Sequence, residues 1–484
     1  MRSDPSPTSG PQPVNHEASE TTALLEDGCS DYGGSKAKAD GKPLPTRQIL
    51  LLCYARLMEG VAFFSIFPYL PQMIQRNAHL RDSQVGFYSG LVESASSVAE
   101  MAALPIWYCL ADRAGRKPAL VCSLIGMTVG PVLFGLASTM PEMIIFRCIS
   151  GFFSGAGLII RTMFAEHTTV DTQAVAYGWF SMTDSLSAFV GPIIGGALAD
   201  PAKQYCGLFC RVGFFQDYPF ALPGIVIGAI NATGAITSLL FLEETRGIKT
   251  PDAADTSKGP GPDPKQQQPT LYQLVKTPGL HAALWLYGQV WLMGSFFVSV
   301  LPVALYTSVS LGGVGYAPAQ ISLYMGAQAG SQSLWFLFAF PWLQRRMGTK
   351  GVLRMCSIGY PILFSCFIAM NALLREGSEV AVAGFWVITV VSALLGPAIF
   401  MSYSAAQLVI NDVSPDPHLL GSLNAAALML CNMVRIGAPG AATALYAVGV
   451  RGQICHGYFG WLVFSATSAG FYLAVTWLPD REKR

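Results

Sequence analysis

The sequence predicts an all-α membrane protein, with twelve transmembrane helices in two pseudo-symmetric six-helix bundles. Three observations carry this expectation. Of 484 residues, 52% are hydrophobic and only 12% are charged, about half the charge of an ordinary soluble domain. Apolar runs of roughly 20 residues, the length that crosses a bilayer, recur along the whole chain. A polar stretch, "EETRGIKTPDAADTSKGPGPDPKQQQPT", separates the sixth run from the seventh, and short motifs recur on either side of it.

Residues 1–48 are polar and rich in Ser, Pro, Gly and Thr. They read as a disordered cytosolic tail without a cleavable secretory signal. Within the tail, "ETTALL" (20–25) has the form of an acidic-dileucine sorting signal. The spans follow at 49–70, 85–110, 118–138, 142–163, 174–198 and 220–242, which together make an N-terminal bundle over 49–242. A flexible cytosolic linker occupies 243–279. The second bundle, 280–478, contains spans at 281–306, 319–342, 351–372, 380–409, 420–447 and 457–478, and 479–484 form a cytosolic tail. Each span is expected to be helical, because a lipid-exposed strand leaves backbone groups unpaired.

Basic residues set the orientation. Lys36, Lys38, Lys42, Arg47, Arg113, Arg116, Lys117, Arg345, Arg346, Lys350 and the tail Arg481, Lys483 and Arg484 all fall on one side, with both termini. That side is read as cytosolic. The net charge of +1 points to no nucleic-acid partner. Eleven cysteines are scattered, mostly in apolar runs, with no Cys/His metal spacing, so neither metal nor cofactor is expected. Cys206 and Cys210 share one loop on the far side; a disulfide and two free thiols both remain open. The six histidines fall in loops, tails or span ends, and no paired catalytic constellation lies in the spans, so the chain does not read as an enzyme. No "GxxxxGK[ST]" phosphate loop is present.

The halves echo each other. "RAGRK" (113–117) resembles "RMGTK" (346–350), with Gly115 and Gly348 233 residues apart. "VGPIIGG" (190–196) resembles "GAPGAA" (437–442), with Pro192 and Pro439 247 residues apart. Duplicated halves are a known transporter architecture. Between spans two and three, "ADRAGRK" reads as a tight loop. Gly115 supplies its turn, Arg116 anchors it, and Asp112 pairs with Arg116 or meets a neighbouring helix N-terminus.

Seven charges fall inside spans: Arg56, Glu59, Glu93, Glu100, Arg147, Asp184 and Arg435. At about 2.5–3.5 kcal/mol each at mid-bilayer, seven facing lipid would cost on the order of 20 kcal/mol, beyond the net stability of an ordinary protein. They are therefore expected to line the interior and pair there. Arg56 and Glu59 are three apart and meet on one helix face; Glu93 and Glu100 are two turns apart on another. Ser187, Gly191 and Gly195 form a small-residue stripe, bent by Pro192. Phe63, Phe64, Trp179, Trp285, Tyr287 and Trp291 are candidate lining aromatics.

These motifs carry a resemblance. "LADRAGRK" resembles the cytosolic-loop signature of the major facilitator superfamily, "RCISGFFSGAG" (147–157) its fourth-span motif, and "VGPIIGGALA" (190–199) the fifth-span motif of its antiporters. "ARLMEGVAFFSIFPYLPQMI" and "LIIRTMFAEH" resemble the fungal and plant zinc-induced-facilitator-like group of twelve-span drug/proton antiporters. Two positions depart: Tyr108 stands where the loop signature usually begins with Gly, and Arg345 where the second-half loop would have Asp. The resemblance implies a major facilitator fold that works by alternating access. Asp112, Gly115 and Arg116 would act at the gate, and Gly191 and Pro192 in a segment that seals the two halves.

The expectation is a secondary transporter, proton-coupled, that exports a small organic molecule such as a drug-like compound or secondary metabolite. Glu59, Glu100 and Asp184 are candidate proton carriers, and Arg56, Arg147 and Arg435 candidate substrate or partner residues. The buried acids favour cationic or zwitterionic cargo. The expected partners are lipid, protons and the cargo, with the protein a monomer in the plasma membrane or a vacuolar or endosomal membrane. A uniporter or importer, or a transporter-like sensor, is the alternative.

Overall fold

The computed structural model describes residues 45–168, 170–209, 211–245, 279–413 and 417–478. The dileucine motif, most of the predicted linker and both tails lie outside these residues. The described chain is helical nearly throughout. Among the described residues, eight helical segments are long and apolar enough to cross a membrane. One of them, Pro318–Glu376, has 59 residues, about 88 Å at helical rise and more than twice what a bilayer needs. It bends at Gly348, where φ is 67° and ψ 172°, and so supplies two spans. The helices that carry Arg56 and Glu59, Glu93 and Glu100, and Asp184 complete the twelve.

In the first half these helices are α1 (Thr46–Phe64), a short α2 (Leu70–Ala78), α3 (Asp82–Ala114) and α4 (Arg116–Leu136). The fourth span is divided into α5 (Met140–Phe152) and α6 (Ala156–His167). Then come α7 (Val170–Leu198) and α8 (Ala221–Phe241). In the second half they are α9 (Leu280–Tyr306), α10 (Pro318–Leu334), α11 (Phe340–Glu376), α12 (Glu379–Leu395), α13 (Met401–Val413), α14 (Pro417–Gly452) and α15 (Phe459–Thr476). A 3₁₀ turn at Gly396–Phe400 divides the tenth span between α12 and α13.

Each half has its own apolar core. One cluster, built around Phe297, Phe364, Phe367, Trp461 and Phe471, belongs to the second half except for Phe67. Three smaller clusters lie in the first half. The halves meet where α7 packs on α10 and α3 on α14. These are spans five with eight and two with eleven, pairs that exchange under the duplication the sequence suggests.

The expected seven-residue loop at 111–117 is shorter still. α3 runs to Ala114, α4 starts at Arg116, and only Gly115 breaks the helix, with φ 112° and ψ 157°. That region of backbone space is essentially closed to side chains. Gly348, its partner in the repeat, also has positive φ. The Glu244 carboxylate accepts the backbone N–H groups of Arg116 at 2.9 Å and Lys117 at 3.2 Å. It caps α4 with a negative charge where two donors have no helical partner.

The small-residue stripe on α7 packs within its own half. Ser187 packs on Gly60, Gly191 on Val61 and Phe64, and Gly195 on the Ser65 carbonyl, all in or just beyond α1 of the same half. The contact with α10 is made by the next face, where Phe189 meets Gly330, Ile193 meets Gly326, and Gly196 meets Ser322. The reason is geometric: α7 is pinched between two neighbours and needs small residues on both sides. In the loop that follows, Cys206 is disulfide-bonded; Cys210 lies outside the described residues.

Two outcomes follow. Gly115→Ala forces a Cβ into disfavoured backbone space and to 2.5 Å from a Glu244 oxygen, whereas a Cβ on Gly348 meets nothing within 4 Å. Both variants strain the backbone by about 1–3 kcal/mol, so Gly115→Ala is expected to lower the melting temperature of the purified protein further than Gly348→Ala. Gly195→Ala would set a Cβ 1.8 Å from the Ser65 oxygen, while Gly437→Ala meets open space. Thermal melts should show a clear loss for the first and little for the second.

Candidate functional site

The charged residues within the spans converge, and a break in the fourth span helps them do so. Phe153, Ser154 and Gly155 leave the helix between α5 and α6. The carbonyls this exposes are partly satisfied, since Trp107 Nε1 donates to Phe152 at 2.6 Å and Ser123 Oγ to Phe153 at 2.5 Å. The break also frees N–H groups at the start of α6, and Gly157 donates one to Glu59 at 3.3 Å. A carboxylate at a helix N-terminus is favoured by the dipole as well as by the hydrogen bond. Position 157 must be small, because a Cβ there would lie 2.8 Å from Arg56 Nη1.

Arg56 joins the two acids. Its Nη1 donates to Glu59 at 2.6 Å and its Nε to Asp184 at 2.7 Å. This ties α1 to α7, 128 residues apart in sequence. Such short charge-assisted bonds are the strong kind. Glu59 is buried at 3% side-chain exposure, whereas Asp184 keeps 37% and Arg56 22%. The sequence-based pairing of Arg56 with Glu59 is thus present, and Asp184 is added to it. The Arg56 guanidinium also lies 5.4 Å from the centre of the Phe180 ring.

Glu93 and Glu100 face the other half from α3, as their spacing suggests. Ser299 of α9 donates to Glu93 at 3.3 Å. Arg435 of α14 stands 3.8 Å from Glu100, near enough for attraction and too long for a hydrogen bond. Arg435 therefore bridges the halves. Arg147, on α5, is only 4% exposed; its guanidinium lies 5.5 Å over Phe63 and within Coulombic reach of Glu93 and Glu100.

Glu59 and Asp184 thus share Arg56, and Glu100 faces Arg435. Among the aromatic candidates, Tyr287 is buried and contacts Trp291, and Phe63 supports Arg147. Trp285 is about half exposed. Two apolar crevices lie elsewhere, around Trp335 and Ile362 and around Val121 and Ile125.

At the Gly115 turn, Arg116 pairs with Asp112 at 3.2 Å and with Glu166 at 3.1 Å. Asp112 is 66% exposed and Glu166 16%, so the second pair is the better shielded. Glu166 also bonds Thr245, just past α8. This cluster stays within the first half.

At the other end of the spans the halves are joined by a Tyr306–Gln75–Asp82 chain of hydrogen bonds. A close approach of Gly90 to Thr443 and Gly440 adds to the joint.

The sequence reading passes over Arg161, Glu166, Glu244 and Ser299. Arg161 falls inside the predicted 142–163 span, and the insertion-cost argument applies to it as to the other seven; that was the available signal. Glu166, Glu244 and Ser299 gain their roles from contacts distant in sequence, which no local pattern encodes.

Comparison with known proteins agrees with this architecture. A family model described as "Major Facilitator Superfamily" matches residues 52–439. The chain is 34% identical over 471 residues to "Efflux pump azaK" of Aspergillus niger, covering 96% of each. It is 24% identical over 433 residues to "Protein ZINC INDUCED FACILITATOR-LIKE 1" of Arabidopsis thaliana, covering 88% of this chain and 89% of that one. Among solved structures, a bacterial homologue of the human lysosomal transporter Spinster superposes with a TM-score of 0.64 at 15% identity, over 90% of this chain and 98% of that one. The fold, the repeated halves and the family match converge on one conclusion: this chain is a membrane transporter of the Major Facilitator Superfamily.

Proposed function

We propose that the protein is a proton-coupled antiporter that exports a small organic molecule. The observation that carries this reading is the placement of three carboxylates on arginines inside the spans, one of them across the joint between the halves. Glu100 on α3 faces Arg435 on α14, while Glu59 and Asp184 share Arg56. A proton on Glu100 cancels its attraction for Arg435 and loosens α3 from α14. Loss of that proton restores the tie. A carboxyl that is exposed to one side and then the other, and whose protonation changes how the halves hold together, couples proton movement to rocking of the bundles.

The tight contacts between halves lie at the end away from the Gly115 turn, and Arg56, Asp184 and Arg435 keep some exposure. These features support a state open toward the side of the Gly115 turn. The excess of basic residues on that side supports its assignment to the cytosol, with both termini, in the plasma membrane or a vacuolar or endosomal membrane. A relative named as an efflux pump supports export as the direction.

The test is flux from proteoliposomes under an imposed pH gradient, screened over amphipathic amines and metabolites. Glu100→Gln is expected to abolish the pH-driven component while leaving substrate exchange at equal pH. Glu59→Gln and Asp184→Asn should weaken both. Flux that ignores the pH gradient would favour a uniporter, and no flux under any condition a sensor. Intact pH-driven flux in all three variants would overturn the assignment of the proton sites.

A further inference from the structure

We propose that Arg161 recognises an acidic group on the transported molecule, so that the cargo is an aromatic carboxylate or a zwitterion carrying one. This rests on the transporter reading above and adds to it a substrate class and a residue that reads it.

Four arginines lie within the spans of the central cluster. Arg56 is committed to two carboxylates, at 2.6 and 2.7 Å. Arg435 faces Glu100. Arg147 is almost wholly buried over Phe63. Arg161, on α6, is exposed, and among the described residues no carboxylate lies within ion-pair distance of it.

Its position is nevertheless held. The Arg161 guanidinium stands 5.4 Å from the centre of the Phe180 ring, the same ring that Arg56 approaches at 5.4 Å. Phe180 is itself buried and packed edge-on against Phe164 at 5.7 Å. A fixed ring that holds one face of a guanidinium leaves its N–H fork free for a planar anion. From this place Arg161 lies within Coulombic reach of Tyr287 and Cys431 in the second half. Tyr287 starts an aromatic row, with ring centres 6.2 Å from Tyr287 to Trp291 and 4.6 Å from Trp291 to Tyr403, and this suits a flat apolar body.

The energetics agree. Among the described residues Arg161 has no anionic partner, and such a cation inside a hydrocarbon-length segment is costly and marks a site of function. Glu59, Asp184 and Glu100 are already engaged by Arg56 and Arg435, and Glu166 by Arg116. A cargo carboxylate supplies the missing partner, and a bidentate Arg–carboxylate pair gives it both affinity and orientation.

The experiment measures equilibrium binding to the full-length protein in nanodiscs by quenching of tryptophan fluorescence. The probes are 7-methoxycoumarin-3-carboxylate and its neutral carboxamide, matched in shape. The wild type is expected to bind the carboxylate about tenfold to a hundredfold more tightly, the range for one charge-assisted pair. Arg161→Gln should bring the ratio close to one, Arg161→Lys should restore part of it, and Arg451→Gln, on the far side of the protein, should keep it. A wild type that binds the amide as well as the acid, or binds neither, overturns the proposal, as does an unchanged ratio in Arg161→Gln. Because the readout is binding, a protein that shows the ratio but no pH-driven flux would refute the antiporter reading and leave Arg161 as an acid receptor.

Discussion

The structure depends on one constraint: a charge placed in a hydrocarbon-length helix must find its opposite before the helix can stay in the membrane. Glu59, Arg56 and Asp184 meet this constraint among themselves, and Glu100 and Arg435 meet it across the joint. The rest of the packing serves these meetings. The break in span four turns an N–H toward Glu59. The absence of a side chain at Gly157 leaves room for the Arg56 guanidinium, and small residues on α7 let α1 come close enough for Arg56 to reach Asp184.

The same constraint links stability to function. A buried ion pair gives little net stability, because desolvation offsets most of the attraction. It does give two states that differ by a proton or by a competing ligand. Pairs within one half hold that bundle rigid. A pair between halves, such as Glu100 with Arg435, holds a conformation. The halves are tightly joined at the Tyr306–Gln75–Asp82 end, and deeper in the contact between them is a longer 3.8 Å one.

Much of this was legible in the residues. Twelve spans followed from apolar length, and the repeat was visible in Gly115 and Gly348, which both adopt positive φ. The burial cost of charge identified Arg56, Glu59, Glu93, Glu100, Arg147, Asp184 and Arg435 as interior groups. What was not legible was which neighbour each would find. Ser187, Gly191 and Gly195 announced close packing, but one-dimensional spacing could not say that α1, and not the other half, was the partner. Glu244 sits 128 residues from the helix end it caps, and Glu166 finds Arg116 only through the fold. Such long-range pairings are properties of tertiary structure.

The most direct test of the central claim is the stability of the Arg56 cluster under stepwise neutralisation. Arg56→Gln alone strands two carboxylates and is expected to destabilise the protein strongly, by about 3–5 kcal/mol. The triple change Arg56→Gln, Glu59→Gln and Asp184→Asn removes the stranded charges along with their partner. Thermal and denaturant unfolding in detergent should find the triple variant markedly more stable than Arg56→Gln. A triple variant that loses the sum of the three single losses would mean that these charges do not neutralise one another, and the account would fail.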